Sequence, residues 1–185
     1  MAAVMWVLEI ADATVGTGLD DYGIEPREPD GLVGIVASPF LHADFSHLMS
    51  NTVPFLVMGF AIALAGLVRV LSVTAIVMAV GGVGTWLVAP EHTNHIGASG
   101  VVFGYAAYLL VRGFYNRNAF ELFMGLIVGA LWGSVLLSGL VPRAGISWQG
   151  HLFGGIGGVV AAWLLATRTR RSRAAAEVSA PGRAS

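Results

Sequence analysis

The sequence contains no cysteine, and only 11% of its 185 residues carry a charge. Without cysteine the chain has no disulfide, no thiolate ligand for a metal and no thiol nucleophile. Ordinary soluble domains hold roughly 25% charged residues, and a soluble fold of this length would need comparable charge to cover its surface. The deficit therefore indicates that lipid surrounds much of this molecule.

Apolar residues make up 56% of the chain and the mean hydropathy is +0.75. The net charge of −1 gives no indication of a nucleic-acid partner. Most of the apolar segments approach the ~20 residues needed to cross a bilayer. They lie at about 45–67, 70–89, 97–112, 119–141 and 147–167. We therefore predict an all-α, polytopic membrane helix bundle in which residues 1–167 form one membrane domain.

The two ends of the chain depart from this pattern. Residues 1–15 are apolar but short, and they include Glu9 and Asp12. We expect them to be the outer part of a first membrane helix whose inner part lies upstream of this sequence; a helix in the membrane interface is the alternative. Residues 168–185 are first basic and then small and polar, which predicts a disordered cytoplasmic tail.

Arginine supplies all ten basic residues, and its placement predicts the topology. If each segment crosses once, eight arginines share one side and two share the other. The larger group is Arg69, Arg112, Arg117, Arg168, Arg170, Arg171, Arg173 and Arg183, and the smaller is Arg27 and Arg143. By the positive-inside rule, the segments that begin near 45, 97 and 147 run inward. We expect a bacterial cell membrane with the C-terminus in the cytoplasm.

Four polar residues inside membrane segments are informative because such groups are costly in lipid. They are His47, Asn51, Ser99 and His151. His47 and Asn51 are four residues apart and share one helix face. All four lie in the first two turns of segments that run inward, so we predict that they lie at similar depth.

These residue types suit nucleophilic catalysis. Ser99 lies at a helix start, where unpaired N–H groups could stabilise an oxyanion formed by attack of its hydroxyl on a carbonyl. His151 is the candidate base. Because no Asp or Glu lies at this depth, we predict a Ser-His dyad without an acidic third member. The side chains of His47 and Asn51 could add hydrogen bonds to the oxyanion.

Small residues predict that the segments at 97–112 and 147–167, which contain Ser99 and His151, approach closely. Gly154 and Gly158 form a G-x-x-x-G pattern, as do Gly100 and Gly104, and such patterns allow membrane helices to pack tightly. Phe103 lies one turn below Ser99, where its ring could stack on the imidazole of His151.

Each feature also has a simpler interpretation. Ser99 could serve only in packing or capping, and the histidines could form a proton or ion path. A metal site would need a third ligand, and the outer loops offer His42, His92 and His95. A zinc protease would be expected to carry His-Glu-x-x-His, which this sequence does not contain.

Taken together, three motifs strongly resemble those of the rhomboid family of intramembrane serine proteases. They are His42-Ala-Asp-Phe-Ser-His47-Leu-Met-Ser-Asn51, Gly97-Ala-Ser99-Gly100 and Gly150-His151-Leu-Phe-Gly154-Gly155. The resemblance spans about residues 19–166. It implies a six-helix core and an active site that opens to the extracytoplasmic side. The first helix of this sequence departs from the family pattern because it is short or truncated.

The resemblance also implies roles for individual residues. By motif position Ser99 is the nucleophile and His151 the base, while the oxyanion hole combines His47, Asn51 and the Ser99 N–H. Gly97 would keep the approach to Ser99 open. The same comparison places Phe103 against the base and gives His42 a structural role.

The expected function is hydrolysis of peptide bonds in transmembrane proteins, near the outer end of the substrate helix. The expected partners are such substrates and the lipid bilayer, with no cofactor and no nucleic acid.

Two alternative functions remain. A non-catalytic binder of membrane helices, such as a chaperone or quality-control adaptor, would keep the fold without chemistry. A small transporter or channel would use the polar residues as an ion path.

Overall fold

The computed structural model describes the backbone of residues 1–179 and the side chains of residues 1–166. Within these residues there are seven α-helices and no β-strand, which confirms the predicted all-α class. The helices are α1 (Ala2–Val15), α2 (Gly34–Ala37), α3 (Phe45–Ala63), α4 (Leu67–Val88), α5 (Ser99–Asn116), α6 (Ala119–Gly139) and α7 (Trp148–Ser179). Four of them, α3, α4, α6 and α7, are long and apolar enough to cross a membrane.

Side-chain caps fix the starts of two long helices. Asp44 precedes α3, and its carboxylate accepts a 2.8 Å hydrogen bond from the His47 N–H. Asn118 precedes α6, and its side-chain oxygen accepts from the N–H groups of Phe120 and Glu121. Both side chains satisfy first-turn N–H groups that lack an intrahelical partner. The starts predicted from hydropathy, 45 and 119, coincide with these caps.

Helix α5 lies at the centre of the bundle and packs against α3, α4, α6 and α7. Its aromatic side chains Tyr105 and Tyr108 are almost completely buried. Helices α5 and α7 contact each other through four glycines, which we call the glycine seam: Gly100 and Gly104 on α5, and Gly154 and Gly158 on α7. A Cβ at Gly154 would overlap the carbonyl of Gly100, and a Cβ at Gly158 would overlap that of Gly104. The seam brings the two helix backbones into contact and fixes the N-terminal end of α7 beside that of α5.

The segment between α1 and α3, for which the sequence indicates only a long loop, contains short helical turns. These are 3-10 turns at Leu19–Tyr22, Asp30–Leu32 and Ser38–Phe40, together with the single-turn α2. The segment packs its backbone closely, since a Cβ at Gly31 would overlap the backbone of Glu25. Buried backbone groups need hydrogen-bond partners, and i to i+3 turns supply them locally.

Arg27 fastens this segment to the end of α4. Its guanidinium donates to the carbonyls of Leu87 (3.0 Å) and Ala89 (2.9 Å), and its Nε donates to Glu91 at 3.0 Å. These carbonyls belong to the C-terminal end of α4, where unpaired acceptors and partial negative charge favour a cation. The segment is thereby held across the end of the bundle that contains Ser99.

Helix α7 continues beyond the apolar run that ends near 167, and its backbone is described to Ser179. The side chains of the predicted tail, 168–185, and the whole of residues 180–185 lie outside the described residues. The disorder expected of this tail stays a prediction.

Candidate active site

The structure brings Ser99 and His151 together. Ser99 is the first residue of α5 and His151 lies in the first turn of α7. The Ser99 Oγ is 2.8 Å from the His151 Nε2, which is hydrogen-bond distance. The glycine seam accounts for this approach, because larger residues at Gly100 and Gly154 would separate the two helix starts.

The remaining sides of the imidazole are also in contact with the protein. The His151 Nδ1 is 2.7 Å from the backbone carbonyl oxygen of Gly139, the last residue of α6. The ring of Phe103 stacks on the imidazole with centroids 4.1 Å apart and an interplanar angle of 5°. His151 is only 9% exposed. Its ring is therefore held in one orientation by α5, α6 and α7 together.

His47 and Asn51 lie on α3 beside the start of α5. A Cβ placed on Gly97 would be 2.6 Å from the His47 Cε1 and 3.8 Å from the Asn51 Nδ2, so both side chains face the backbone just before Ser99. The Asn51 amide donates one N–H to the His47 carbonyl at 3.0 Å. An amide carries a second N–H, so Asn51 retains another donor. All four polar residues singled out from the sequence thus meet in one region.

A cavity of about 1000 Å³ adjoins these residues. Its walls include Asn51 and Pro54 from α3 and Trp132 and Leu136 from α6. Ser99, His151, His47 and Phe103 also line it. A volume of this size admits a segment of polypeptide as well as water. The nucleophile candidate is therefore reachable from outside the protein.

His42, the outer histidine of the first motif, supports the backbone before Ser99. It is 2% exposed, and its Nε2 accepts a hydrogen bond from the Ala98 N–H at 3.3 Å. Burial, with a smaller contribution from the neighbouring His47, lowers the pKa of His42 to about 4. The ring is therefore neutral at pH 7 and can accept this bond.

His95 joins the loop before α5 to the start of α7. Its Nδ1 lies 2.7 Å from the Ser147 Oγ and its Nε2 lies 2.8 Å from the Thr93 Oγ1. Ser147 Oγ also accepts from the Gly150 N–H at 3.2 Å. Burial lowers the pKa of His95, which keeps the ring neutral at pH 7. Both ring nitrogens of this alternative metal ligand are thus engaged by hydroxyls.

Sequence reasoning missed two contributors to the site. Gly139 acts through its carbonyl, which no side-chain pattern reveals. Ser147 begins the last apolar segment, and a Ser just before the first residue of a helix is a capping signal, so the sequence could have indicated this residue. The structure places Gly97 against the His47 ring and Phe103 against the His151 ring, while Gly154 and Gly158 pack against the α5 backbone.

Comparison with known proteins identifies relatives over most of the chain. A family model described as the rhomboid domain matches residues 29–168. An uncharacterized protein of Mycobacterium tuberculosis is 45% identical over 181 residues, covering 93% of this chain and 75% of that protein. An uncharacterized protein of Mycobacterium leprae is 45% identical over 184 residues, covering 95% and 72%.

A more distant relative carries a functional name. A Bacillus subtilis protein provisionally named as the rhomboid protease YdcA is 30% identical over 139 residues, covering 74% of this chain and 69% of that protein. The family match covers most of the membrane domain and includes the three predicted motifs. Four helices long and apolar enough to cross a bilayer accompany it. The chain therefore belongs to the rhomboid family and is an integral, multi-pass membrane protein.

Proposed function

We propose that this protein is an intramembrane serine protease that uses Ser99 as nucleophile and His151 as general base. The observation that carries the proposal is the 2.8 Å approach of the Ser99 Oγ to the His151 Nε2 beside an open cavity. Distances of about 2.6–3.2 Å are typical of a nucleophile and its activating base. Membership of the rhomboid family supports the same assignment.

The reaction would follow from this geometry. The Ser99 Oγ attacks the carbonyl carbon of the scissile peptide bond while its proton passes to the His151 Nε2. The tetrahedral intermediate then collapses, and the leaving nitrogen takes that proton as the C–N bond breaks. Water hydrolyses the resulting ester with His151 again as base, which regenerates the Ser99 hydroxyl. No cofactor takes part in these steps.

Donors for the oxyanion are present on two elements. Ser99 is the first residue of α5, so its N–H is among those without an intrahelical partner. The Asn51 amide and the His47 ring face the same region from α3. Removal of one such donor typically costs about 10²–10³ in kcat. We assign the oxyanion hole to the Ser99 N–H and the side chains of His47 and Asn51.

The position of the site in a membrane domain supports transmembrane proteins as the substrates. The cavity lies between α3 and α6, two helices whose outer faces expose apolar side chains such as Met49, Val53 and Leu131. In a bilayer these faces lie against lipid. A transmembrane helix arriving through lipid would meet the cavity from this side, and it would need to unwind to present a peptide carbonyl to Ser99.

A fluorophosphonate probe separates this proposal from a non-catalytic binder of membrane helices. The probe phosphonylates an activated serine, with fluoride leaving as the Oγ–P bond forms and the serine proton passing to the base. We expect stoichiometric labelling of Ser99 in the detergent-solubilised protein. Ser99→Ala should abolish the adduct, and His151→Ala should slow labelling by at least about 100-fold, the lower end expected for loss of a general base.

Ser138 provides a matched control for the labelling. It also lines the cavity, but its Oγ donates to the Val135 carbonyl at 2.9 Å. Ser138→Ala should label at the wild-type rate. A natively folded wild-type protein that takes no label would favour the non-catalytic binder. An adduct that survives Ser99→Ala would show that another residue is labelled and would contradict the assignment of Ser99 as nucleophile.

A further inference from the structure

The end of α6 contacts the candidate base directly. Gly139, the last residue of α6, places its carbonyl oxygen 2.7 Å from the His151 Nδ1. A carbonyl oxygen only accepts hydrogen bonds. The bond therefore requires that the Nδ1 carry a proton.

This requirement determines the state of the other ring nitrogen. A neutral imidazole has a single N–H, so a protonated Nδ1 leaves the Nε2 with a free electron pair. The Nε2 faces the Ser99 Oγ at 2.8 Å. The Ser99 hydroxyl must then be the donor, which is the arrangement in which its proton can be removed.

We propose that the Gly139 carbonyl is a positioning group for His151 and takes the part that a carboxylate plays in a Ser-His-Asp triad. Like that carboxylate, it holds the ring orientation and selects the tautomer with a free Nε2. It also belongs to the C-terminal end of a helix, where unpaired carbonyls and the partial negative charge favour a nearby cation. The imidazolium formed during the reaction is such a cation. This inference rests on the proposed function.

Glycine is needed at this position for the carbonyl to come so close. A Cβ on residue 139 would lie 2.6 Å from the Phe103 Cζ and 3.0 Å from the His151 Nδ1. The Phe103 ring cannot withdraw without losing its stack on the imidazole, at a centroid distance of 4.1 Å. Only a residue without a side chain lets the end of α6 approach both rings.

An amide-to-ester change tests the carbonyl without altering any side chain. Replacing Leu140 by its α-hydroxy acid turns the Gly139 carbonyl into an ester carbonyl, a weaker acceptor, and removes the Leu140 N–H that donates to Leu137. We expect kcat for reporter cleavage to fall about 10-fold or more, the size expected for weakening a hydrogen bond to a charged group. KM should change less than about twofold, because the substrate does not touch this bond.

The matched control is the same ester change one residue later. Replacing Val141 by its α-hydroxy acid removes a comparable N–H, which donates to Ser138 at 3.2 Å, and leaves the Gly139 carbonyl an amide. The Leu140 and Val141 esters each lose one backbone hydrogen bond of the turn, so an effect of that loss alone would be similar in the two variants. We expect the Val141 ester to keep kcat within about twofold of the wild type. Equal losses in the two variants would overturn the proposal.

The tautomer gives a second readout that does not depend on activity. Nitrogen-15 NMR of ring-labelled histidine, assigned with His151→Ala, reports which ring nitrogen carries the proton. We expect the Nδ1–H tautomer in the wild type and in Ser99→Ala, and a detectable Nε2–H population in the Leu140 ester. An Nε2–H tautomer in the wild type would overturn the inference. Absence of Ser99-dependent cleavage together with an Nδ1–H tautomer would instead count against the proposed function alone.

Discussion

At the scale of single residues, Gly97 controls the space beside the Ser99 N–H. Its φ of +113° is a conformation that side-chain-bearing residues rarely adopt. A Cβ there would also lie 2.6 Å from the His47 Cε1 and 2.7 Å from its Nε2. A side chain at this position would therefore displace the ring of His47, one of the proposed oxyanion donors.

Gly97→Ala should lower kcat/KM for reporter cleavage by at least about 10-fold, which is less than the ~10²–10³ typical of removing an oxyanion donor, because His47 is displaced and not removed. Gly145→Ala is the control, because Gly145 also has a positive φ of +75° but has nothing within 4 Å of a Cβ. Its activity should stay within about twofold of wild type, while both variants lose some thermal stability from backbone strain. Equal activities in Gly97→Ala and Gly145→Ala would contradict the role of this space.

The polar residues of the site could be predicted because they interrupt apolar segments. His47, Asn51, Ser99 and His151 lie at the starts of segments that run in one direction, so equal depth followed from the topology alone. Gly139 could not be found in this way, since its contribution is a backbone oxygen and its position depends on how α6 ends against His151. Every residue carries a backbone carbonyl, so the residue type does not indicate which carbonyl accepts a hydrogen bond from a side chain.

At the scale of elements, the glycine seam between α5 and α7 sets the distance between the Ser99 hydroxyl and the His151 ring. A Cβ at Gly154 would overlap the Gly100 carbonyl. Gly155, the next residue, has nothing within 4 Å of a Cβ. The two glycines share a helix and a local sequence but differ in what they contact, so they form a matched pair.

Gly154→Ala should lower the free energy of unfolding by about 1–3 kcal/mol, the usual cost of an extra methyl in a tight contact. It should also lower kcat, because α5 and α7 must separate near Ser99 and His151. Gly155→Ala should be neutral or raise stability by up to about 1 kcal/mol through its better helix propensity. Thermal unfolding and reporter cleavage measure both quantities. Unchanged stability and kcat in Gly154→Ala would show that the glycine seam does not set the distance between the Ser99 Oγ and the His151 Nε2.

Helix positions were predictable to within a few residues, apart from the C-terminal end of α7, which extends past the predicted end near 167 to Ser179. The turns between α1 and α3 were not predictable. Long apolar runs bounded by caps such as Asp44 and Asn118 mark helices clearly. Turns of three or four residues, such as Asp30–Leu32 and Gly34–Ala37, are too short to show a period. Their form depends on packing against α4 and on contacts such as those of Arg27.

At the scale of the whole molecule, the site lies at one end of the bundle. Arg27 and Arg143, the two arginines of the minority side, belong to the segments around that end. The positive-inside rule then predicts that this end faces away from the cytoplasm. A substrate helix would be cut near its outer end, where α3, α5 and α7 begin.

The measurement that tests this account most directly is cleavage of a reporter transmembrane helix in proteoliposomes, with the products identified by mass. We predict one or a few cuts in the outer part of the helix that disappear in Ser99→Ala and in His151→Ala. The rate should fall as the pH is lowered, because a protonated His151 cannot take the Ser99 proton. Undiminished cleavage in either variant, or cuts confined to the cytoplasmic end of the reporter, would contradict the account.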